Sequence, residues 1–192
     1  MEATLGFALF DTAVGCCGIV WSARGIVGVQ IHDRSETATR SHVQRRYPGA
    51  KEETPPAHVR RGIDDIAALL NGERRSLSHI AIDLERVPDF HRRVYEVARG
   101  IGVGETLTYG EIATRLGDRT LAREVAEALS QNPCPIIVPC HRVLAAGGKT
   151  GGFSAPGGVR TKLRLLSIEG AQPGGPTLFG DLPLAAPGRR RK

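Results

Sequence analysis

The chain has 192 residues, of which 41% are hydrophobic and 24% charged, with a net charge of +6 and a pI near 9.5. This ordinary globular composition leaves room for one medium domain or two small ones, and no apolar run is long enough to span a bilayer. Asp11 interrupts the N-terminal apolar stretch, which argues against a signal peptide, and the four cysteines lack the spacing of a disulfide framework. We therefore expect a reducing, cytosolic setting, and the basic excess favours a polyanionic partner.

Residues 1–86 read as a small α/β domain. Its strands are short runs rich in Val, Ile, Leu and Phe, predicted over residues 5–10, 17–22 and 26–31, with a hairpin turn at 22–25. A helix with Ser35 as its cap is predicted over residues 36–47. A second helix has apolar residues at helical spacing, ends at Asn71-Gly72 and is followed by an alternating strand. The apolar positions of this helix and strand are Val59, Ile63, Ile66, Leu70, Ile80, Ile82 and Leu84.

From residue 87 to 170 the pattern becomes helical. Asp89 is placed to cap a first helix. The apolar stripe of that helix consists of Phe90, Val94, Val97 and Ile101. Thr108 and Glu111 have the spacing of a capping box, which opens a helix that ends at Gly117.

The next predicted helix is capped by Thr120, and together with the helix before it forms a helix-turn-helix arrangement. Its buried face is expected to contain Leu121, Ala122, Val125, Ala126 and Leu129. A last helix is predicted over residues 160–169, with Leu163 and Leu166 facing the core. Residues 171–192, rich in Pro, Gly and Ala and ending in basic residues, are expected to form a disordered tail.

The most informative stretch is Pro139-Cys140-His141-Arg142, with Asn132-Pro133 upstream. A thiol reacts as its thiolate, so a nucleophilic cysteine needs a neighbouring base or positive charge, and His141 and Arg142 directly follow Cys140. The apolar residues 136–138 predict a short buried strand that leaves Cys140 just past a rigid strand end. A buried structural thiol is the usual alternative for a free cysteine.

These residues resemble the active-site signature of the O6-alkylguanine-DNA alkyltransferases, also called methylated-DNA–protein-cysteine methyltransferases. The resemblance is strongest between Thr108 and Glu169. It implies a ribonuclease-H-like α/β N-terminal domain followed by a helical, winged-helix-like domain that binds DNA and carries out the catalysis. The implied reaction is repair of O6-alkylguanine in double-stranded DNA. The base is flipped out, and its alkyl group moves to Cys140 once per molecule.

The implied reaction needs no cofactor, because the alkylated base is itself the electrophile. The resemblance also implies a monomer that works in the cytoplasm, on the nucleoid of a bacterium, or in the nucleus of a eukaryote. A structural zinc in the N-terminal domain would have only Cys16-Cys17 as a hint of ligands, and we interpret it as absent.

The resemblance also assigns roles around the nucleophile. It implies that His141 takes the cysteine proton through a bridging water, while Glu169 pairs with His141 and orients it. Glu169 also stands out from the sequence alone, because a carboxylate in the last turn of a helix opposes the helix dipole unless it has a partner. By resemblance, Tyr109 donates a hydrogen bond to the departing guanine. By the same resemblance, Asn132 orders the turn that leads to the active site and joins the hydrogen-bond network behind the thiol.

On the DNA side, the resemblance implies that Arg123 fills the gap left by the flipped nucleotide, from a helix lying in the minor groove. An ordinary solvated arginine is the alternative. The other residues expected at the DNA interface are Thr120, Ala122 and Ala126. Glu124 stands where the family usually has a small residue, and its negative charge opposes binding close to phosphates.

The substrate pocket is expected to contain Val143, Phe153 and Ser154, and residues 155–158 are longer than the Gly-Gly turn usual in the family. Two rival functions stay open. A lesion-binding relative would lack the nucleophile, and the intact Cys140 argues against it. A cysteine hydrolase would turn over, and its histidine rarely follows the cysteine directly.

Overall fold

The computed structural model describes residues 4–171, and its N-terminal half is built on a four-stranded sheet. β1 (Gly6–Thr12), β2 (Gly15–Ser22) and β3 (Gly25–Gln30) form an antiparallel meander, which confirms the three predicted strands and their hairpin turn. The short β4 (Lys51–Glu52) pairs parallel to β1, so the strand order is β3-β2-β1-β4.

Two helices pack against this sheet and confirm the predicted ones. α1 (Glu36–Arg46) begins after Ser35, whose hydroxyl accepts a hydrogen bond from the N–H of Ala38, as expected for an N-cap. α2 (Ala57–Leu70) buries one apolar face, which stabilises it against the sheet. Its buried residues are Val59, Gly62, Ile66, Leu69 and Leu70.

The predicted strand around residues 80–84 is wrong, because only Ile82 pairs with the sheet, in an isolated bridge to Ile26. The carboxylate of Asp83 accepts hydrogen bonds from the Ser22 hydroxyl at 2.6 Å and from the N–H of Glu85 at 3.2 Å. Such a side-chain-to-backbone bond turns the chain and ends the pairing.

The C-terminal half is mainly helical. Its helices are α3 (Asp89–Arg99), α4 (Tyr109–Arg115), α5 (Ala122–Ser130) and α6 (Val159–Ile168), and a two-stranded parallel sheet joins β5 (Leu107–Thr108) to β6 (Val143–Leu144). The phenol of Tyr95 on α3 donates to the carbonyl of Ala128 on α5 at 2.8 Å, deep in the interface between these helices. The helical character predicted for this half is confirmed.

Two of the predicted helix caps are wrong. Asp89 is the first residue of α3, and Pro88 occupies the cap position, where an extended proline costs no hydrogen bond. Thr120 lies inside a 3₁₀ turn (Arg119–Leu121) that precedes α5. That turn is capped by Asp118, whose carboxylate accepts from the N–H of Thr120 at 2.8 Å. The capping box of Thr108 and Glu111 is confirmed.

The inward face of α6 differs from the prediction. Leu166 is fully buried as expected, but Leu163 is 43% exposed, so its predicted core position is wrong. The buried positions, including the cap that follows the helix, are Lys162, Leu165, Leu166 and Glu169. This i, i+3, i+4, i+7 pattern has a polar residue at each end, and apolar periodicity alone does not reveal it.

One cluster of buried apolar side chains continues from the β1–β3 sheet through α2 and α3 to residues 134–138. The domain boundary at residues 86–87 stays a prediction. The predicted tail lies outside the described residues apart from Ala171. Within residues 4–171 the longest apolar helices are too short or too polar to cross a membrane.

Candidate active site

The predicted strand over residues 136–138 is wrong, because this buried segment folds as a tight turn. Ile136 adopts a left-handed φ of 77°, and the N–H of Val138 donates to the carbonyl of Cys134 at 2.8 Å. The surrounding prolines lack the N–H groups that a strand ladder requires. They are Pro133, Pro135 and Pro139. The turn leads directly into a buried 3₁₀ turn (Cys140–Arg142) that holds the candidate nucleophile.

Asn132 fixes this turn and also contacts the thiol. Its Oδ1 accepts a hydrogen bond from the N–H of Cys134 at 2.9 Å. Its Nδ2 donates to the carbonyl of Val138 at 2.9 Å and to Sγ of Cys140 at 3.2 Å. A donor aimed at the sulfur stabilises the thiolate relative to the thiol, so Asn132 both orders the turn and acts on the candidate nucleophile.

Glu169 has the partners that its position at the end of α6 requires. Nε2 of His141 lies 2.9 Å from its Oε1, and the guanidinium of Arg142 binds both carboxylate oxygens, at 2.7 and 2.8 Å. Burial by itself raises the pKa of Glu169, but the hydrogen bonds from His141 and Arg142 outweigh it and bring the pKa down to about 2. The carboxylate is therefore ionised at neutral pH and can only accept hydrogen bonds.

This pairing settles which nitrogen of His141 is basic. Because the Glu169 carboxylate only accepts, Nε2 must carry the hydrogen, and Nδ1 is left with its lone pair. Nδ1 is buried and has no hydrogen-bond partner among residues 4–171. Burial lowers the pKa of His141, although the bond to Glu169 acts in the opposite direction, so the resting imidazole is neutral. His141 thus presents an unprotonated base inside the site.

Cys140 is buried beside this base. Burial raises the pKa of its thiol, and outweighs both the hydrogen bond from Asn132 and the positive charge of Lys162, which lower it. The resting site therefore holds a thiol and a neutral imidazole, and the thiolate forms only when a base takes the proton.

Lys162 is a site residue that the sequence did not reveal. It is fully buried, and its Nζ donates to the carbonyls of Val143 at 2.5 Å and Gly152 at 3.4 Å, which ties β6 to the loop before Phe153. Burial lowers the pKa of Lys162 to about 8, although the charge of Cys140 opposes this. The only sequence signal was its helical spacing to Leu166 and Glu169.

A cavity of about 140 Å³ opens onto Cys140. The predicted pocket residues Phe153 and Ser154 line it, whereas Val143 does not, because it is buried beneath the site with its carbonyl bound by Lys162. The N-terminal half also contributes to the wall, with Gln30 and Arg46. Sequence reasoning missed these two residues, since only tertiary packing brings them to the cavity.

A second cavity, of about 610 Å³, lies where α4 and α5 meet. Tyr109, Ala122 and Arg123 line it, with Tyr109 held at the first position of α4 by the capping box. Burial raises the pKa of Tyr109, and a negative charge on Cys140 would raise it further, so its phenol is protonated. Arg123 is exposed at this surface. Of the other predicted DNA residues, Thr120 is exposed on the preceding turn and Ala126 is half-buried on α5.

Comparisons with known proteins show the family to which the chain belongs. Residues 89–171 match the sequence profile described as 6-O-methylguanine DNA methyltransferase, DNA binding domain. The methylated-DNA–protein-cysteine methyltransferase of Methanothermobacter thermautotrophicus is 33% identical over 153 residues, which are 80% of this chain and 78% of that protein. The chain belongs to the O6-methylguanine-DNA methyltransferase family.

Solved structures of this family have the same fold. The Mycobacterium tuberculosis O6-methylguanine methyltransferase matches with a TM-score of 0.70 at 30% identity, over 87% of this chain and 93% of that one. A structure of M. tuberculosis OGT in complex with DNA matches with a TM-score of 0.68 at 28% identity, over 86% of this chain and 92% of that one.

The part that matches the methyltransferase profile contains all of the predicted site residues, from Tyr109 to Glu169. Gln30 and Arg46 lie outside it, although they line the cavity at Cys140. The cavity at Cys140 is therefore lined by residues of both halves of the chain, and only the C-terminal half matches the profile.

Proposed function

We propose that this protein repairs O6-alkylguanine in double-stranded DNA by moving the alkyl group onto Cys140. The observation that carries the proposal is a buried thiol followed by a neutral histidine. Nε2 of this His141 is bound by the ionised Glu169, and its Nδ1 has no partner in the described chain and is available as a base. Membership of a family of methylated-DNA–protein-cysteine methyltransferases supplies the substrate class. A lesion-binding protein has no need of this arrangement.

The chemistry follows from the geometry. The thiol proton moves to Nδ1 of His141, through the bridging water that the family resemblance implies, and Glu169 stabilises the imidazolium that forms. The sulfur attacks the alkyl carbon, so a carbon–sulfur bond forms as the bond between that carbon and O6 breaks. The departing guanine takes up negative charge, and the phenol of Tyr109 donates a hydrogen bond to it. A thioether does not hydrolyse, so each molecule reacts once.

The base must leave the duplex before the buried thiol can reach it. Arg123 on α5 is exposed at the rim of the cavity that contains Tyr109, which suits a side chain that takes the place of the flipped nucleotide. α4 and α5, joined by the 3₁₀ turn that contains Thr120, supply the DNA-binding surface. Ala122 and Ala126 allow close approach to the groove.

We extend the proposal to the finer architecture. Three antiparallel strands, a helix and a fourth strand parallel to the first support a ribonuclease-H-like N-terminal domain over residues 1–86. The helices after residue 87, with the β5–β6 pair, support a winged-helix-like catalytic domain. We propose that the protein works as a monomer on double-stranded DNA in the cytoplasm, on the nucleoid in a bacterium.

The deciding experiment incubates the protein with a duplex that carries labelled O6-methylguanine and then maps the label by peptide mass spectrometry. We expect one methyl group per molecule, on Cys140, because it is the only one of the four cysteines in the Pro-Cys-His-Arg sequence. Cys140→Ser is expected to abolish transfer and keep DNA binding. Label on Cys134, repeated turnover, or label that stays on the DNA contradicts the proposal.

A further inference from the structure

A second polar cleft lies on the far side of the turn that carries Cys140. It has a volume of about 460 Å³ and is formed by the loop after α2, the end of α3 and the turn residues Ile136 and Ile137. It shares no lining residue with the cavity around Cys140. Four arginines and no carboxylate line it within the described part of the chain: Arg74, Arg75, Arg99 and Arg142.

Two of these arginines already have acidic partners. Arg75 contacts Glu73 at 3.3 Å and Asp65 at 3.4 Å, and Arg142 is bound to Glu169 at 2.7 Å. Their charges are therefore largely neutralised within the protein. These two arginines line the cleft, but their positive charges do not require a bound anion.

Arg74 and Arg99 differ, because among residues 4–171 neither forms a salt bridge. Nη2 of Arg74 donates to the carbonyl of Val103 at 3.0 Å, and Nη2 of Arg99 donates to the carbonyls of Ser78 and Ile80 at 2.7 and 2.8 Å. Nε of Arg99 is buried and has no hydrogen-bond partner in the described chain. Burial also lowers the pKa of Arg99. The charge of Glu96 acts on Arg99 without a direct ion pair, and it does not cancel the effect of burial. A half-buried cation that no carboxylate contacts is costly, and an anion in the cleft offsets that cost.

The donors suit a phosphate group in particular. A guanidinium presents its N–H groups as a planar fork that matches the oxygens of phosphate, and two such groups can hold one phosphate from different sides. The hydroxyls of Ser76 and Ser78, 2.9 Å apart on the same wall, are further donors. From this cluster we infer that the cleft, defined by Arg74, Arg99, Ser76 and Ser78, binds a phosphate group, either of a nucleic-acid backbone or of a small phosphorylated molecule.

The probe for this site is inorganic pyrophosphate, titrated while NMR follows the arginine Nε–H groups. The Nε–H resonance of Arg99 is expected to shift and saturate. Arg74→Gln removes one of the two unneutralised charges and is expected to weaken binding about ten-fold. Arg61→Gln, an exposed arginine of α2 outside the cleft, is the matched control and is expected to bind like the wild type. No saturable shift in the wild type, or equal affinity in both variants, overturns the inference.

Binding of an unmodified duplex at several salt concentrations identifies the source of the phosphate. If the DNA backbone fills the cleft, Arg74→Gln lowers the salt dependence by about one counter-ion relative to Arg61→Gln, and pyrophosphate competes with the duplex. If a small molecule fills it, the salt dependences agree, and pyrophosphate binds the protein–DNA complex as tightly as the free protein. Transfer from free O6-benzylguanine to Cys140 is expected to be unchanged in Arg74→Gln, which separates this test from that of the proposed function.

Discussion

The sharpest test of the site replaces Glu169 by glutamine, which keeps the shape of the side chain and removes its charge. The carboxylate accepts from His141 at 2.9 Å and from Arg142 at 2.7 and 2.8 Å, all of it buried. An amide has only one oxygen to offer, and its NH₂ group must face one of these donors. Arg142 then keeps a buried charge without a counter-ion, which is the costly outcome of breaking a buried pair.

The size of the effect follows from the pKa of Glu169, which lies at about 2 compared with an ordinary value of 4.5. That difference corresponds to a contribution of about 3 kcal/mol to the free energy of unfolding. Because the folded pKa is depressed, the contribution is fully present above about pH 4.5 and is lost as the pH falls towards about 2. Urea denaturation should therefore show Glu169→Gln less stable by about 3 kcal/mol near pH 7, with a smaller gap near pH 3.

The same substitution should act on the chemistry. Without the carboxylate, the imidazolium of His141 loses its stabilising partner, so the apparent pKa of Cys140 rises and transfer from free O6-benzylguanine slows about 100-fold. Glu127→Gln, at an exposed position of α5, is the control and should match the wild type in both assays. If the stability difference does not depend on pH, or if a thiol probe titrates Cys140 identically in both proteins, then Glu169 does not stabilise the imidazolium of His141.

Two further predictions address the surroundings of the thiol and its access to DNA. Lys162→Met removes the donors to the carbonyls of Val143 and Gly152 and should slow transfer from free O6-benzylguanine while duplex binding persists. Burial lowers the pKa of Lys162 to about 8, so the free energy of unfolding of the wild type should increase as the pH rises above that value. Lys162→Met should lack this increase. If the two proteins show the same dependence of stability on pH, the prediction is wrong. Arg123→Ala should reduce transfer from duplex DNA more than transfer from the free base.

The parts of the fold that were predictable carry local signals. The hairpin before Gly25, the Ser35 cap and the Thr108–Glu111 capping box each depend on residues close in sequence, and each is confirmed. The two failed strand predictions share one cause, which is that a short apolar run is compatible with a strand or with a buried turn. Residues 136–138 are as hydrophobic as a strand, but the prolines around them deny the ladder its donors.

The site divides in the same way. Cys140, His141 and Asn132 lie within ten residues of one another, so a motif was able to reveal them, and Glu169 showed itself by an unfavourable position at a helix end. Lys162 was not predictable, because a buried lysine breaks the apolar pattern that defines the core face of α6. Gln30 and Arg46 were not predictable for another reason, because no local sequence feature indicates that β3 and α1 end at this cavity.

Replacing Arg123 tests whether flipping of the base and transfer of the alkyl group depend on different residues. It is exposed on α5 at a cavity distinct from the one at Cys140, so its removal leaves the thiol and its base untouched. Flipping a base costs a few kcal/mol, and a side chain that fills the gap offsets part of that cost, whereas a free base needs no flipping. The wild-type to Arg123→Ala rate ratio should therefore be larger on an O6-methylguanine duplex than on free O6-benzylguanine. Arg115→Ala, which removes an exposed charge from neighbouring α4, should only lower the salt dependence of DNA binding. Equal Arg123 ratios on both substrates exclude the intercalating role and leave Arg123 an ordinary surface charge.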